Sequence, residues 1–290
     1  MNLGIDGVAV GHHTDLDAQT GCTVVVFPDG TVASGEIRGG APASREFGLL
    51  GVDRLVDRID AVVLSGGSAF GLASVDGVIE WCVAHERGFT TSAGVVPIVV
   101  GLSLFDLNVG DGTVRPTPAD GRSAVDDVAA EFDVGRVGAG TGAAMGKWGL
   151  VDPEEPTPAG IGSATVKVGE LVVSALFAVN AAGHIDDGSI PAAITDGTFD
   201  SWPESPPFEN TTIGVVVTNA KLSKVECHLV AQGAHDGFAR ALFPPHLRSD
   251  GDAVVAAATG AVEADVDVVR TAAIVATERA IRSVGESSDG

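Results

Sequence analysis

Residues 210–220 read NTTIGVVVTNA, and they mark the place where an irregular segment gives way to a strand. Residues 213–218 are rich in Val and Ile and predict a β-strand. The preceding segment, residues 195–210, reads TDGTFDSWPESPPFEN, and its prolines and lack of periodicity exclude a continuous helix or a central strand. The chain therefore passes from a polar, proline-rich segment into a β-rich strand with no turn signal between them.

Asn210, Thr211 and Thr212 stand at this junction and admit three interpretations. The simplest is a loop that enters a strand. Asn-x-Thr is also a glycosylation sequon, but the start of the sequence has no basic-then-apolar leader, so we expect no secretion. The third is a self-cleavage site, where the Thr211 hydroxyl attacks the Asn210 carbonyl and water then releases a new N-terminus. The freed α-amine, with a reference pKa of about 7.7–8.0, can accept the proton of its own hydroxyl.

Strand and helix patterns mix along the rest of the chain and predict an α/β layered architecture. Further strands are predicted at residues 22–27, 61–64, 95–101, 165–168 and 171–179. Helices are predicted at residues 43–57, at 68–85 with Ser68 as N-cap, at 223–241 with Ser223 as N-cap, and at 262–284.

The charge is strongly negative, with 39 acidic and 17 basic residues and a net charge of −22. Nucleic acids and anionic membranes are bound by clustered Lys and Arg, so we expect neither as a partner. The acidic residues are scattered, which favours a salt-rich (halophilic) cell interior where charges are screened; an acidic surface for one specific partner is the alternative. The longest apolar stretch, residues 94–105, is too short to span a bilayer, and we expect a cytoplasmic protein.

Metal and cofactor motifs are missing from the sequence. Cys22, Cys82 and Cys227 are isolated, and the seven histidines show no ligand spacing, so neither a metal site nor a disulfide framework is predicted. Residues 66–71, GGSAFG, lack the Lys-Ser/Thr of a phosphate loop, and residues 138–142, GAGTG, do not fit the dinucleotide-binding pattern. Both segments are interpreted as glycine turns, and no cofactor is expected.

Nine segments, in the same order along nearly the whole chain, resemble the DmpA-like aminopeptidases, which include β-peptidyl aminopeptidases and nylon-oligomer (6-aminohexanoate-oligomer) hydrolases. These segments are VGHHTD, TGCTVVV, RGGAPASRE (38–46), LSGGSAFGLASVDGV (64–78), GAGTGAAMGKW (138–148), FAVNAAG (177–183), NTTIGVVVTNA (210–220), HDGFARA and SDGD (249–252). The resemblance implies an αββα sandwich, shared with ornithine acetyltransferases. It also implies one catalytic domain, residues 1–290, that cleaves itself into an α subunit (1–210) and a β subunit (211–290). The two subunits would stay associated in an oligomer, often a tetramer.

Carried over by motif, the resemblance makes Thr211 the catalytic nucleophile and Asn210 the residue before the cut. Lys147, in GKW, is similar to an active-site lysine whose ammonium holds a carboxylate and orients the nucleophile; the alternative is a solvated surface charge. Asn180, after the FAVN strand, is similar to an asparagine that donates to the oxyanion, a contribution of roughly 3–4 kcal/mol. Its alternative is a strand-end residue that satisfies a turn.

Asp250 and Asp252, in SDGD, match an acidic pair near the nucleophile in the nylon-hydrolase branch. Such carboxylates would orient the α-amine, tune its pKa and attract the amine of a substrate. The alternative is a surface loop, since acidic residues are abundant. By the same resemblance, Gly66, Gly67 and Ser68 line the substrate pocket.

Phe105 marks a departure from the nylon-hydrolase branch, which has a tyrosine near the substrate, because this sequence contains no Tyr and reads SLFDL there. The Thr at position 211 is typical of that branch, whereas the peptidase branch generally has Ser. The implied function is hydrolysis of a small peptide or amino-acid amide, with ω-amino-acid amides included. An acyltransferase of the ornithine acetyltransferase type, or an uncleaved oligomer that binds a metabolite, are the alternatives.

Overall fold

The structure, a computed structural model, describes residues 1–148, 156–199 and 209–286. Its strands are β1 (Ala9–Asp15), β2 (Thr20–Val26), β3 (Val32–Ile37), β4 (Ala43–Arg45), β5 (Ala61–Ser65), β6 (Phe89–Thr91), β7 (Gly94–Val96), β8 (Val99–Ser103), β9 (Ala144–Met145), β10 (Thr157–Pro158), β11 (Ile161–Val168), β12 (Leu171–Ala178), β13 (His184–Ile185), β14 (Ile213–Ala220), β15 (Leu242–Phe243) and β16 (Ala253–Val262). Its helices are α1 (Ser68–Gly71), α2 (Ser74–Ala84), α3 (Pro118–Asp126), α4 (Ser189–Asp196), α5 (Lys224–Ala241) and α6 (Val266–Glu286).

Two five-stranded sheets form the middle of the molecule. The first has the strand order β1-β2-β5-β8-β4, and the second has the order β11-β12-β14-β16-β3. Helices α2 and α3 pack on the outer face of the first sheet, and α5 and α6 pack on the outer face of the second. One apolar core lies between the sheets and one lies under each helix layer. The predicted αββα sandwich is therefore confirmed.

Strand β14 is central in the second sheet and is buried on both faces. Ile213, Val215 and Val217 point into the core between the sheets, whereas Val216 points toward α5 and α6. This double burial explains its almost continuous apolar sequence. The strand pairs antiparallel with β12 and parallel with β16, so its first residues lie beside the end of β12 and the start of β16.

The helix predicted at residues 43–57 is wrong. The segment forms the short strand β4, a 3₁₀ turn at Phe47–Leu50 and further turns. Lys224 Nζ donates to the carbonyl oxygens of Leu49, Arg54 and Val56, at 2.9, 3.2 and 2.7 Å. Of these three, Leu49 is the carbonyl that a helix ending at residue 57 would have paired internally, and residues 43–45 pair with β8 instead, so contacts with distant residues replace the helical hydrogen bonds.

Three other predicted elements have different boundaries in the structure. The helix predicted at 68–85 is divided into α1 and α2, and Ser68 is not its N-cap: Gly67 caps α1, and both residues have positive φ. The strand predicted at 95–101 is divided into β7 and β8 around Pro97. The helix predicted at 262–284 begins only at Val266 because β16 continues to Val262.

The remaining strand predictions and the α5 helix are confirmed. Ser223 caps α5 in a capping box with Glu226. Of the proline-rich segment, residues 195–196 close α4, and residues 200–208 lie outside the described residues. Among the helices of the described residues, none has the combined length and apolar character that a membrane span requires.

Candidate active site

The candidate site forms around the residues that lead into β14. The antiparallel register with β12 places Asn180 beside Thr211, whose backbone N–H donates to the Asn180 carbonyl at 2.8 Å. The parallel register with β16 places Asp250 beside Asn210, and a bridge joins the two residues. Residues distant in sequence are thus brought together by strand order alone.

Thr211 is buried, with 5% of its surface exposed, and its hydroxyl donates to the carbonyl oxygen of Asn210. That oxygen also accepts the backbone N–H of Gly251 at 3.0 Å. The Thr211 hydroxyl therefore lies against a carbonyl oxygen that already accepts a backbone hydrogen bond. A donor at this position stabilises the negative charge that develops when a carbonyl is attacked. A Cβ on Gly251 would lie 2.6 Å from Thr211 Oγ1, which requires glycine there.

The side-chain amide of Asn180 is fully buried and holds four partners. Its Oδ1 accepts from Lys147 Nζ at 2.6 Å and from the Ala144 N–H at 3.1 Å. Its Nδ2 donates to the carbonyls of Phe105 at 2.9 Å and Glu209 at 3.5 Å. This amide faces the carbonyl of Glu209, whereas Gly251 is the donor that reaches the carbonyl of Asn210.

Lys147 follows β9 at a position fixed by glycine. Gly146 has φ 78°, and a Cβ there would lie 2.2 Å from the His184 ring. Lys147 Nζ donates to Asn180 Oδ1, to the Glu209 carbonyl at 2.9 Å and to the Asn180 carbonyl at 3.4 Å. The ammonium therefore holds three uncharged oxygens instead of the carboxylate that the resemblance implied. Burial lowers the pKa of Lys147 to about 7. The negative charges of nearby carboxylates raise this pKa and offset part of the effect of burial.

Asp250 and Asp252 are buried and bind backbone N–H groups. Asp250 accepts from Leu247 at 2.8 Å and Ala182 at 3.4 Å, and Asp252 accepts from Thr212 at 2.7 Å. Burial, together with the charge of Asp252, raises the pKa of Asp250 to about 7. The two carboxylates are therefore buried beside residues 210–212 and do not lie in a surface loop.

The raised pKa of Asp250 predicts a pH-dependent stability. The folded chain holds a proton here that the unfolded chain releases above pH 3.8, so this group stabilises the fold at low pH. The contribution is lost as the pH rises to about 7, with a slope of at most about 1.4 kcal/mol per pH unit. The free energy of unfolding of an uncut Thr211→Ala chain should be measured with urea at several pH values. Adding Asp250→Asn should remove the part of its pH dependence that Asp250 causes. Identical slopes for the single and double variants would contradict the assignment.

A cavity of about 420 Å³ lies next to the junction. It is lined by Phe105, Asp106, Asn108, Val109, Arg136, Gly142, Ala143, Ala144, Lys147, Pro156, Pro158 and Glu209. The volume suits a small ligand. Phe105 lines the cavity, and Glu209 occupies part of its wall, with its carboxylate 2.6 Å from Asn108 Nδ2. Glu209 lines the cavity, whereas Thr211, two residues further along the chain, is not among the lining residues.

Gly66, Gly67 and Ser68 lie one layer behind this cavity wall. Asp106 Oδ1 accepts the Gly67 N–H at 2.7 Å, and Asp106 Oδ2 accepts the Thr20 hydroxyl at 2.7 Å. A Cβ on Gly66 would lie 2.1 Å from Asp106 Oδ2. The glycine turn therefore supports Asp106, a buried cavity residue whose pKa is raised by burial.

Sequence reasoning missed Asp106 and Gly251. The signals available were their positions, directly after Phe105 in SLFDL and between the two carboxylates of SDGD. Within the described residues, no group of three or more His, Cys, Asp or Glu side chains is arranged to hold a metal ion.

The sequence is similar to those of known proteins over nearly its whole length. The model of peptidase family S58 matches residues 3–286. An uncharacterized aminopeptidase of Mycobacterium leprae is 39% identical over 98% of this chain and 85% of its own length. A 6-aminohexanoate-oligomer endohydrolase of Kocuria sp. is 30% identical over 91% of this chain and 76% of its own length.

Solved structures share the fold. The L-aminopeptidase D-Ala-esterase/amidase of Ochrobactrum anthropi, described as a variant of the Ntn hydrolase fold, superposes with a TM-score of 0.75 at 20% identity, over 97% of this chain and 84% of its own. A β-aminopeptidase of Burkholderia sp. superposes with a TM-score of 0.73 at 20% identity, over 97% and 85%.

Proposed function

The chain belongs to peptidase family S58, and we propose that it is a self-cleaving amide hydrolase whose nucleophile is Thr211, freed by cleavage of the bond to Asn210. One observation carries this proposal. The Thr211 hydroxyl lies against the Asn210 carbonyl, and the same carbonyl oxygen accepts the Gly251 N–H at 3.0 Å. The aminopeptidase and oligomer-hydrolase relatives support amide hydrolysis as the reaction class.

In the first stage, Thr211 Oγ1 attacks the carbonyl carbon of Asn210 and gives up its proton. The oxygen that becomes negative is the one that Gly251 already contacts. The C–N bond then breaks, the nitrogen takes up a proton, and Asn210 is left as an ester on Thr211. Water hydrolyses this ester, which yields a carboxylate on Asn210 and a free amine and hydroxyl on Thr211.

In the second stage, the freed amine acts as the base for its own hydroxyl. Its nitrogen lies 2.8 Å from the Asn180 carbonyl in the intact chain, so the β-sheet register already orients it. The hydroxyl attacks a substrate amide, the amine product leaves, and water releases the acyl group. Asn180 Nδ2, which faces the Glu209 carbonyl before cleavage, becomes a donor for the substrate once that segment withdraws. Lys147 orients the amide of Asn180 for this role through its 2.6 Å contact with Oδ1.

The proposed substrate is a small peptide or an ω-amino-acid amide that enters the cavity beside Glu209. Phe105, Val109 and Pro158 supply apolar walls for an acyl chain, and Arg136 supplies a charge. Because the Kocuria relative is a 6-aminohexanoate-oligomer endohydrolase, these oligomers are one substrate to test, and the aminopeptidase relative of Mycobacterium leprae makes aminoacyl amides the other.

Chromogenic aminoacyl anilides and 6-aminohexanoate oligomers should therefore be incubated with the purified protein at low salt and at molar KCl. We expect amine release from at least one class, and none with Thr211→Ala. Adding a second amine as acceptor distinguishes hydrolysis from acyl transfer, because a transferase forms a new amide. Absence of both products in a protein that has cleaved itself would contradict the proposed amide chemistry.

A further inference from the structure

One carboxylate, that of Asp252, connects His246 to the residue directly after the proposed nucleophile. Asp252 Oδ1 accepts the Thr212 N–H at 2.7 Å, and Asp252 Oδ2 accepts both the His246 backbone N–H at 3.2 Å and His246 Nδ1 at 2.8 Å. Two of these partners are backbone N–H groups, one on each carboxylate oxygen, so Asp252 acts as an acceptor at both oxygens. On this basis the imidazole is assigned a proton on Nδ1, which donates to Oδ2 as well.

The backbone of His246 is held for this contact. Its φ is 57°, in the left-handed region, where a residue with a side chain is uncommon. Such a conformation persists only where the surroundings determine it. Here Asp252 holds both the backbone N–H and the ring of the same residue, so the turn and the imidazole are fixed together.

The ring of His246 packs between two aromatic residues of α5. It stands edge-on to His235, with ring centroids 4.8 Å apart, and 4.9 Å from Phe238. Within the described residues, His246 Nε2 is buried and makes no hydrogen bond. Aromatic packing therefore holds the ring in place. Within the described residues, its polar contact is the one between Nδ1 and Asp252.

His235 has the same packing without the contact to the carboxylate. It is fully buried, and its Nε2 contacts the Glu36 carbonyl at 3.1 Å. The two histidines share one aromatic cluster, and only one of them reaches the residues of the junction. His235 thus offers a matched control for the loss of packing.

We propose that His246 is a positioning residue for Thr211. By donating to Asp252 Oδ2 it keeps the carboxylate turned toward the Thr212 N–H, and the hydrogen bond from Thr212 to Asp252 fixes the backbone directly after the nucleophile. The inference rests on the proposed self-cleavage, and it concerns a residue that contacts neither the scissile bond nor the substrate cavity.

The test compares three variants. His246→Phe keeps the ring and removes the donor, so self-cleavage should slow by roughly 10- to 100-fold, the size expected for losing a hydrogen bond to a charged group. His246→Asn restores a donor and tolerates positive φ, so it should recover most of the rate. His235→Phe should cleave at the wild-type rate with a similar change in melting temperature.

A second readout does not depend on cleavage. In the uncut Thr211→Ala chain, hydrogen exchange at the Thr212 amide should be faster after His246→Phe and unchanged after His235→Phe. If the wild type cleaves and His246→Phe alters neither cleavage nor exchange, the positioning role alone is overturned. Equal slowing by His235→Phe, or a folded His246→Asn that stays slow, would also overturn it. A wild type that never cleaves overturns the proposed function, and the exchange measurement still decides whether His246 fixes Thr212.

Discussion

Thr211→Ala should leave the chain whole and abolish amide hydrolysis, the largest effect expected of any substitution. The hydroxyl of Thr211 is the group that contacts the Asn210 carbonyl, and alanine has no atom that can attack it. Without the cut, no α-amine forms at position 211, so the second reaction loses both its nucleophile and its base. Intact-mass measurement after purification and an amide-hydrolysis assay on the same sample check both losses.

Two matched variants separate the chemistry from the fold. Thr211→Ser keeps a hydroxyl and should still cleave. Thr212→Ser changes the neighbouring threonine, whose Oγ1 accepts the Asn180 N–H at 3.2 Å, and it should cleave as well. Thr211→Ala should retain a melting temperature near that of the uncleaved wild type, because it removes only a small polar group. Cleavage in Thr211→Ala at the wild-type rate would assign the nucleophile to another residue.

Gly251→Ala should reduce self-cleavage by about 100-fold, because it displaces the nucleophile without removing any reacting group. The added Cβ would lie 2.6 Å from Thr211 Oγ1 and 2.9 Å from the Ala41 carbonyl. The cheapest response is a shift of the threonine side chain away from the Asn210 carbonyl, or of the Gly251 N–H away from the same oxygen. Either movement separates groups that the reaction needs in contact. The rate constant is followed by intact mass in freshly refolded or freshly translated protein.

Gly48→Ala provides the control for a general effect of replacing glycine. Among the described residues, a Cβ on Gly48 would meet no atom within 4 Å, so the new side chain enters open space. We expect this variant to cleave at the wild-type rate. If Gly251→Ala is folded and also cleaves at that rate, the close approach between residues 251 and 211 has no part in the reaction.

Local patterns in the sequence predicted the elements whose form depends on local chemistry. Ser223 and Glu226 form the capping box that starts α5, and the Val-rich run after Thr212 forms β14. The helix predicted at residues 43–57 was wrong because distant parts of the chain bind this segment: β8 pairs with β4, and Lys224 holds the Leu49 carbonyl. Tertiary contacts of this kind override weak local propensity.

For the candidate site, too, the sequence predicted some features, and others required the structure. The motifs named Thr211, Lys147, Asn180, Asp250 and Asp252, and strand pairing brings these residues around one bond. The partner of each side chain depends on the register of β14 against β12 and β16, which a single sequence does not state. For this reason the backbone donor Gly251, the cavity residue Asp106 and the contact between His246 and Asp252 emerged only from the structure.

The mass and N-terminal sequence of the purified wild-type protein decide whether it cleaves itself before Thr211. The intact chain has a mass of 29.1 kDa. We predict two fragments that meet between residues 210 and 211 and stay associated, with the second beginning Thr-Thr-Ile-Gly. A folded chain that remains at full length after prolonged incubation at low salt and at molar KCl would contradict self-cleavage at Thr211, as would a new N-terminus at any other residue.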